Sequence, residues 1–280
     1  MRISIVLLCL AAALPLTAQT QQPVSTGGPP PPIEDNSFLV EEAYNQERGI
    51  VQHVSTFSRS AGSAAWVYEF AQEWPLAGQK HQLSYTVPVA HNDDPLLTST
   101  GIGDIALTYR YQIGGGEGVA FALAPSLSLV LPTGDSRRAL GSGGTGFEAK
   151  LPFSAELSRR FVAHSNAGVT YTPRALDTFG NTAAVRGFAL GQSVIWLAHP
   201  NLNLMLESVW GVMQEVTGPR QTARMTEFLL SPGLRTAINL RSGLQIVPGL
   251  AFPIGVGPSR GERSMFAYLS FEHPFARQSP

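Results

Sequence analysis

Long segments of this sequence alternate between large apolar residues and small or polar residues. From 119 to 131 the odd-numbered positions are Val, Phe, Leu, Pro, Leu, Leu and Leu, whereas the even-numbered positions from 120 to 128 are Ala or Ser. The same alternation recurs over 147–157 and 202–212. Successive side chains of a β-strand point to opposite faces, so this period of two predicts strands with one large apolar face.

Twelve such segments follow one another along the chain. The candidate strands are 48–58, 63–74, 79–89, 101–112, 118–131, 146–157, 160–172, 184–197, 201–213, 225–238, 243–254 and 263–275. Most of them are longer than the usual soluble strand of about 5–6 residues and match the roughly 9–11 residues of a tilted strand that crosses a membrane.

The connections between these segments alternate in length. Short connections are predicted at 114–117, 158–159, 198–200 and 239–242, and long ones at 90–100, 132–145, 173–183 and 214–224. Outer-membrane barrels have short turns on the periplasmic side and longer loops outside. The sequence therefore predicts an all-β fold, a single antiparallel transmembrane β-barrel of about 12 strands over residues 48–275, with both termini on one side.

Composition agrees with a barrel and excludes other classes of protein. Charged residues make up only 14% of the chain, against roughly 25% in soluble domains. The 19 basic and 20 acidic residues nearly cancel, which leaves no basic footprint for nucleic acid. A secreted soluble β-sandwich would also alternate, with the apolar faces in a shared core. Strand length and the scarcity of charge favour the membrane barrel.

The first 47 residues have a different character. Met1 and Arg2 precede an apolar run at 3–14 that is too short to span a bilayer, and Ala18 offers a cleavage site, so 1–18 is predicted to be a cleaved signal peptide. Cys9, the only cysteine, lies within it, which excludes disulfides and thiolate catalysis in the mature chain. Residues 19–47 form a proline-rich spacer in which 35–47 is either a short helix at the barrel mouth or a loosely ordered lead-in.

Three stretches carry a family resemblance. They are Gly-Ile-Gly-Asp-Ile-Ala-Leu-Thr-Tyr-Arg-Tyr at 101–111, Pro-Ser-Leu-Ser-Leu-Val-Leu-Pro-Thr-Gly-Asp at 125–135 and Gly-Gly-Thr-Gly-Phe at 143–147. They resemble the outer-membrane β-barrels named as transporters of the phenol meta-degradation pathway. The resemblance implies a location in the bacterial outer membrane and the passage of small aromatic molecules. The last strand ends in Phe275, similar to the signal that the barrel assembly machinery reads, although the tail 276–280 follows it here.

Turning the apolar face of each strand toward lipid turns eleven charged residues inward. These candidate pore-lining residues are Glu69, Glu73, Asp104, Arg110, Glu148, Lys150, Glu156, Glu207, Glu227, Arg235 and Arg241. Seven acids against four bases predict a weak preference for cations in an open pore. The alternative is that the charges pair across the lumen and close it, because a buried unpaired charge is costly. Twelve strands lie between filled small barrels and 16-stranded channels, so both alternatives stay open.

Hypotheses of a catalytic or metal-binding site have less support in the sequence than the pore. His164-Ser165-Asn166 is similar to the His-x-Ser-Asn-Gly signature of outer-membrane phospholipases, but adjacent strand residues point to opposite faces and cannot form a Ser-His pair. The string His-Asn-Asp-Asp at 91–94 could bind a divalent cation, yet Asn and Asp favour a solvated turn. The glycine runs at 114–116 and 141–146 lack the following Lys-Ser/Thr of a nucleotide loop.

The sequence thus predicts a barrel that is not an enzyme and needs no cofactor or metal. Its expected partners are outer-membrane lipid, the barrel assembly machinery and a small-molecule solute. The predicted function is that of a passive pore or binding barrel. The alternative is a structural or adhesive barrel that acts through 132–145 and 214–224.

Overall fold

The computed structural model describes residues 37–76, 78–115, 120–240 and 244–275. The predicted signal peptide, the prolines at 29–32 and the tail at 276–280 lie outside these ranges. Within them, no helix combines the length and the apolar character needed to cross a membrane.

Twelve antiparallel strands make up the described chain. They are β1 Ile50–Ser60, β2 Trp66–Pro75, β3 His81–Asp94, β4 Leu97–Ile102 with Ile105–Tyr111 and Ile113–Gly114, β5 Phe121–Leu123 with Ser126–Leu131, β6 Gly146–Ser158, β7 Phe161–Leu176, β8 Thr182–His199, β9 Leu202–Gly218, β10 Gln221–Thr236 with Ile238–Asn239, β11 Gln245–Ala251 with Ile254–Gly255, and β12 Ser264–Pro274. Two 3-10 turns, Ser136–Arg138 and Gly257–Ser259, lie in connections.

The sheet closes on itself. Each strand pairs with its neighbour in sequence, and β12 pairs with β1 from Ile50↔Pro274 to Ser60↔Ser264. Closure satisfies the backbone groups of every strand edge, which is the condition for a sheet to exist in hydrocarbon. The predicted fold class, a closed barrel of twelve antiparallel strands, is confirmed.

Prolines explain two of the breaks within strands. Pro125 interrupts β5 and Pro253 interrupts β11. Proline has no backbone N–H to donate to a ladder, so it ends regular pairing where it stands. On both sides of each break the register continues with the same neighbours, so the wall remains continuous.

The two faces of the wall differ as the alternation predicts. On β4, Leu107 and Tyr109 are exposed on the outside, whereas Thr108 and Arg110 are buried on the inside. The same division holds on β6, with Phe147 exposed and its successor Glu148 buried. Large apolar side chains therefore face away from the barrel and polar ones face its interior. This arrangement contradicts the soluble sandwich, whose apolar faces would be buried together.

The expected alternation of loop lengths is wrong in detail. We call the end where β1 begins the terminal rim and the opposite end the loop rim. At the loop rim the segments predicted as long loops at 90–100, 173–183 and 214–224 are strand extensions, since pairing continues to Asp94↔Leu97, Leu176↔Thr182 and Gly218↔Gln221. The connection 132–145 is a true long loop. The difference from the prediction lies in strand length, because strand pairing continues close to the tips of these hairpins.

Residues 37–49, which we call the inner segment, form no helix. They lie inside the barrel, and most of their side chains from Ser37 to Gln46 are buried. The prediction of a helix or a loose lead-in is therefore wrong for these residues. The physical reason is that side chains of the wall, rather than backbone carbonyls one turn away, accept the N–H groups of the segment.

Candidate functional site

The inner segment begins at a carboxylate of the wall. Glu207 Oε1 accepts the backbone N–H groups of Phe38, Leu39 and Val40 at 2.9, 2.8 and 3.0 Å. Ser37 is held as well, because its hydroxyl donates to Ser193 at 2.5 Å. Three converging N–H donors make a strong anion site, and here the wall itself supplies the anion.

Phe38 is the aromatic anchor of the inner segment. Its ring lies 5.5 Å from the rings of both Phe266 and Tyr268, and the guanidinium of Arg235 lies 4.7 Å from its centroid. The wall makes room for the ring with glycine, since a Cβ on Gly249 would lie 2.5 Å from Phe38 Cζ. Phe38 as a whole is only 2% exposed. Phe38 therefore occupies a cage of aromatic, cationic and glycine residues.

The middle of the segment is held by an ion cluster. Lys150 Nζ lies 2.9 Å from Glu41 of the segment and 3.0 Å from Glu148 of the wall. Asn166 binds the backbone of Glu41 twice, accepting its N–H at 2.5 Å and donating to its carbonyl at 2.8 Å. All three ionic groups are buried, so each one depends on its partners for stabilisation.

The last part of the segment binds the side chains of β3 and β4. Arg110 donates through Nε to Asn45 Oδ1 at 2.6 Å and through Nη2 to the carbonyl of Tyr44. Gln112 and Gln82 accept the backbone N–H groups of Asn45 and Gln46 at 2.7 and 2.8 Å. The segment thus crosses the lumen from β9 to β3, and wall side chains accept seven of its backbone N–H groups.

The two halves of the lumen differ in accessibility. Toward the terminal rim, inward side chains such as Glu73 and Asn203 are buried beneath the inner segment. Toward the loop rim, several inward residues are partly exposed, among them Val67, Glu69, Val209, Glu227 and Leu229. We call this accessible part of the lumen the vestibule. It combines carboxylates with apolar side chains and is closed below by the segment.

The loop 132–145 folds over the vestibule at one side. Asp104 accepts the backbone N–H of Gly134 at 3.0 Å, and the N–H and hydroxyl of Ser142, both at 2.7 Å. Asn92 donates to the carbonyl of Ala139 at 2.8 Å. Asn92 belongs to the inward-facing set of β3, and Asp104 lies at the break within β4, so the loop is tied to the mouth of the barrel.

The candidate pore-lining residues fall into distinct groups. Glu73, Arg110, Glu148, Lys150, Glu207 and Arg235 face inward and are buried, and Glu69, Asp104 and Glu227 face inward and are partly exposed. Glu156 is exposed near the terminal rim, and Arg241 lies outside the described residues. The structure brings Glu148 and Lys150 together, as neighbours on β6 rather than across the lumen. Whether these residues line a passage stays a prediction.

Sequence reasoning missed the polar wall residues that hold the inner segment. Ser154, Asn166 and Ser193 lie on the inward face, as the alternation indicates, but nothing in the sequence marks what they bind. The one available signal was a Gln or Asn at an inward position, as at Gln82 and Gln112. Such residues need partners when they are buried.

The His-Ser-Asn string has a structural role. His164 faces inward and lies 2.7 Å from Ser154 on the neighbouring strand, which also accepts the N–H of Ala43. Ser165 faces outward and donates to Gln192 at 2.7 Å. The two residues therefore point to opposite faces, as expected. His164 and Ser154 are fully buried under the inner segment.

The string at 91–94 lies in β3 and its side chains diverge. His91 pairs with Thr100, Asn92 with the loop 132–145, and Asp93 accepts the N–H of Ala64 at 2.7 Å. No group of three or more potential metal ligands occurs among the described residues. The string is part of a hairpin rather than a solvated turn.

Comparison with known proteins shows which solved structures share this fold. No protein-family model matches the chain, and no curated protein matches its sequence. The structure is similar to an outer-membrane channel from Pseudomonas putida F1, with a TM-score of 0.65 and 13% identity over 83% of this chain and 98% of that chain. It is also similar to the NanC porin, with a TM-score of 0.53 and 11% identity over 78% and 98%. The chain shares the barrel fold of these channels.

Proposed function

We propose that this protein is an outer-membrane channel that lets small solutes pass without an energy source. The observation that carries the proposal is a closed twelve-strand wall with an apolar exterior and a polar lumen that is accessible from the loop rim. An apolar exterior is suited to lipid, and side-chain charges inside a barrel select ions and solutes. Export through a cleaved signal peptide and insertion by the barrel assembly machinery accompany this proposal.

The vestibule suggests the kind of solute. Glu69 and Glu227 supply carboxyl groups, and Val67, Val209 and Leu229 supply apolar surface. Such a surface suits small neutral or cationic molecules that carry an apolar part. Small aromatic compounds, the class implied by the sequence resemblance, meet this description.

Planar-bilayer recording tests the channel. Purified protein should give discrete current steps with cations more permeant than anions. Replacing Glu69 and Glu227 by Gln should lower the cation-to-anion permeability ratio, whereas the matched control Glu156→Gln, at the terminal rim, should leave it nearly unchanged. A ratio that does not respond to the vestibule pair would contradict passage through the vestibule.

A structural or adhesive barrel is the second candidate. The filled lower lumen favours it, because residues 37–46 bury the polar wall. Correctly folded protein that conducts neither as the native chain nor with residues 37–46 replaced by a Gly/Ser sequence of equal length would support this function. Liposome swelling with graded solutes gives an independent measure of permeability.

A further inference from the structure

Apart from Gly49, whose carbonyl accepts the N–H of Phe275 at 2.9 Å, the inner segment is not part of the barrel's hydrogen-bond ladder. Its backbone donors at 38–40, 41, 43, 45 and 46 go to side chains of the wall. The strands pair with one another around the full ring without it. Removing the segment from the lumen would therefore leave every strand pairing of the wall intact.

Apart from the apolar packing of Phe38 and Val40, the contacts that hold the segment are of a kind that water can replace. They are mostly hydrogen bonds and ion contacts to wall residues such as Glu207 and Asn166, and water entering the lumen can satisfy both partners. Lys150 would keep Glu148 as its partner when Glu41 leaves, because both residues belong to β6. Lys150 therefore keeps a counter-charge after the segment has left.

The wall is nevertheless shaped to receive the segment. A Cβ on Gly233 would lie 2.9 Å from Phe38 Cε2, and a Cβ on Gly191 would lie 2.9 Å from Val40 Cγ2. Together with Gly249, these glycines make sockets for Phe38 and Val40. A fitted socket for a segment outside the ladder indicates a defined docking site.

A hinge connects the segment to the wall. Gly49 has φ +82°, the left-handed region that glycine adopts without strain. The N–H of Ile50 donates to the carbonyl of Glu47 at 3.2 Å, so the chain turns sharply just before β1. Rotation at this turn would move residues 37–47 as a unit toward the terminal rim.

We propose that the inner segment is a gate. In its docked position it closes the lower lumen, and in its undocked position it leaves through the terminal rim and joins the vestibule to that rim in one continuous pore. The undocked pore is lined by wall side chains that the docked segment covers, including Arg110, Glu207 and Arg235. This inference rests on the proposed channel function.

A reversible disulfide tests the gate. Val40 Cβ lies 3.7 Å from the position of a Cβ on Gly191, close to the roughly 3.8 Å mean of disulfides. The double variant Val40→Cys/Gly191→Cys also removes the valine methyls that a side chain at 191 would meet. The chain's only native cysteine is Cys9, in the predicted signal peptide, so the new pair is free of competing thiols in the mature chain.

The expected results concern current through planar bilayers. Reduced double variant and native protein should open as a minor state, with an open fraction of about 0.1–10%. Oxidation should abolish openings, and dithiothreitol should restore them. The single variants Val40→Cys and Gly191→Cys should not respond to oxidation. Protein with residues 37–46 replaced by Gly/Ser should stay open.

Two negative results would refute different proposals. If the oxidised and reduced double variants conduct equally, the gate is refuted and the channel stands. If the Gly/Ser variant forms a closed, heat-modifiable barrel and carries no current, the channel function itself is refuted. Formation of the disulfide is verified by mass spectrometry before each recording.

Discussion

Replacing Phe38 by Ala should release the inner segment while leaving the barrel closed. The ring is almost fully buried, so its loss removes about 1.5–3 kcal/mol of apolar burial. Arg235 lies 4.7 Å from the ring centroid, a cation-π contact of about 0.5–2 kcal/mol. The sum of about 2–5 kcal/mol raises the undocked-to-docked ratio between about thirtyfold and a few thousandfold, since each 1.4 kcal/mol is tenfold.

Thiol labelling measures this ratio. Ser154 is fully buried and accepts the N–H of Ala43 at 2.8 Å, so a maleimide can reach Ser154→Cys from the lumen only when the segment undocks. The labelling rate in the Ser154→Cys background should rise with Phe38→Ala by the same factor until the undocked state predominates, and should level off from there. Phe271→Ala is the matched control, because that ring stacks on His53 on the outward face. An unchanged rate in a closed Phe38→Ala barrel would refute the anchoring role of Phe38.

Three further changes have defined expectations. Lys150→Met leaves Glu41 of the segment and Glu148 of the wall without their shared cation, and breaking a buried pair costs about 3–5 kcal/mol, so labelling at 154 should accelerate. Gly249→Val places its side chain in the space of the Phe38 ring and should accelerate labelling as well. Asp104→Ala removes three hydrogen bonds to the loop 132–145 and should speed tryptic cleavage there.

Each of these changes has its own control. Adding Glu41→Gln to Lys150→Met should slow labelling again, because it removes one of the two uncompensated acids. Gly211→Val is matched to Gly249→Val, since its Cβ would meet only a carbonyl at 3.8 Å. Cleavage at the exposed Arg137 should respond to Asp104→Ala but not to Phe38→Ala. Equal cleavage in all variants would contradict the tethering of this loop.

The strands were predictable because one physical division governs the whole wall. Lipid requires apolar side chains outside, and the lumen accepts polar ones, so the alternation persists along each strand. The predicted segments 146–157 and 263–275 agree with β6 and β12 to within one residue at each end. The same signal misplaced the loop boundaries, because a hairpin such as Gly218–Gln221 keeps pairing where the lipid constraint has ended.

The conformation of the inner segment could not be predicted from the sequence. Its conformation is set by partners that are remote in the chain, as between Phe38 and Glu207, 169 positions apart. Residues 37–46 have neither the period of a strand nor that of a helix, because each of them meets a different part of the wall. The inward charges on Arg110 and Lys150 were predictable, but their partners on the segment were not.

The strand extensions make β9 and β10 into a hairpin with a two-residue tip, Pro219 and Arg220, at the loop rim, whereas the inner segment leads into β1 at the terminal rim. Arg220 is exposed and has φ +58°, and its turn lies where pairing ends. Exposed tips of this kind tolerate insertions. An epitope tag inserted between Pro219 and Arg220 would therefore report, on intact cells and without altering conduction, which end of the barrel faces the medium.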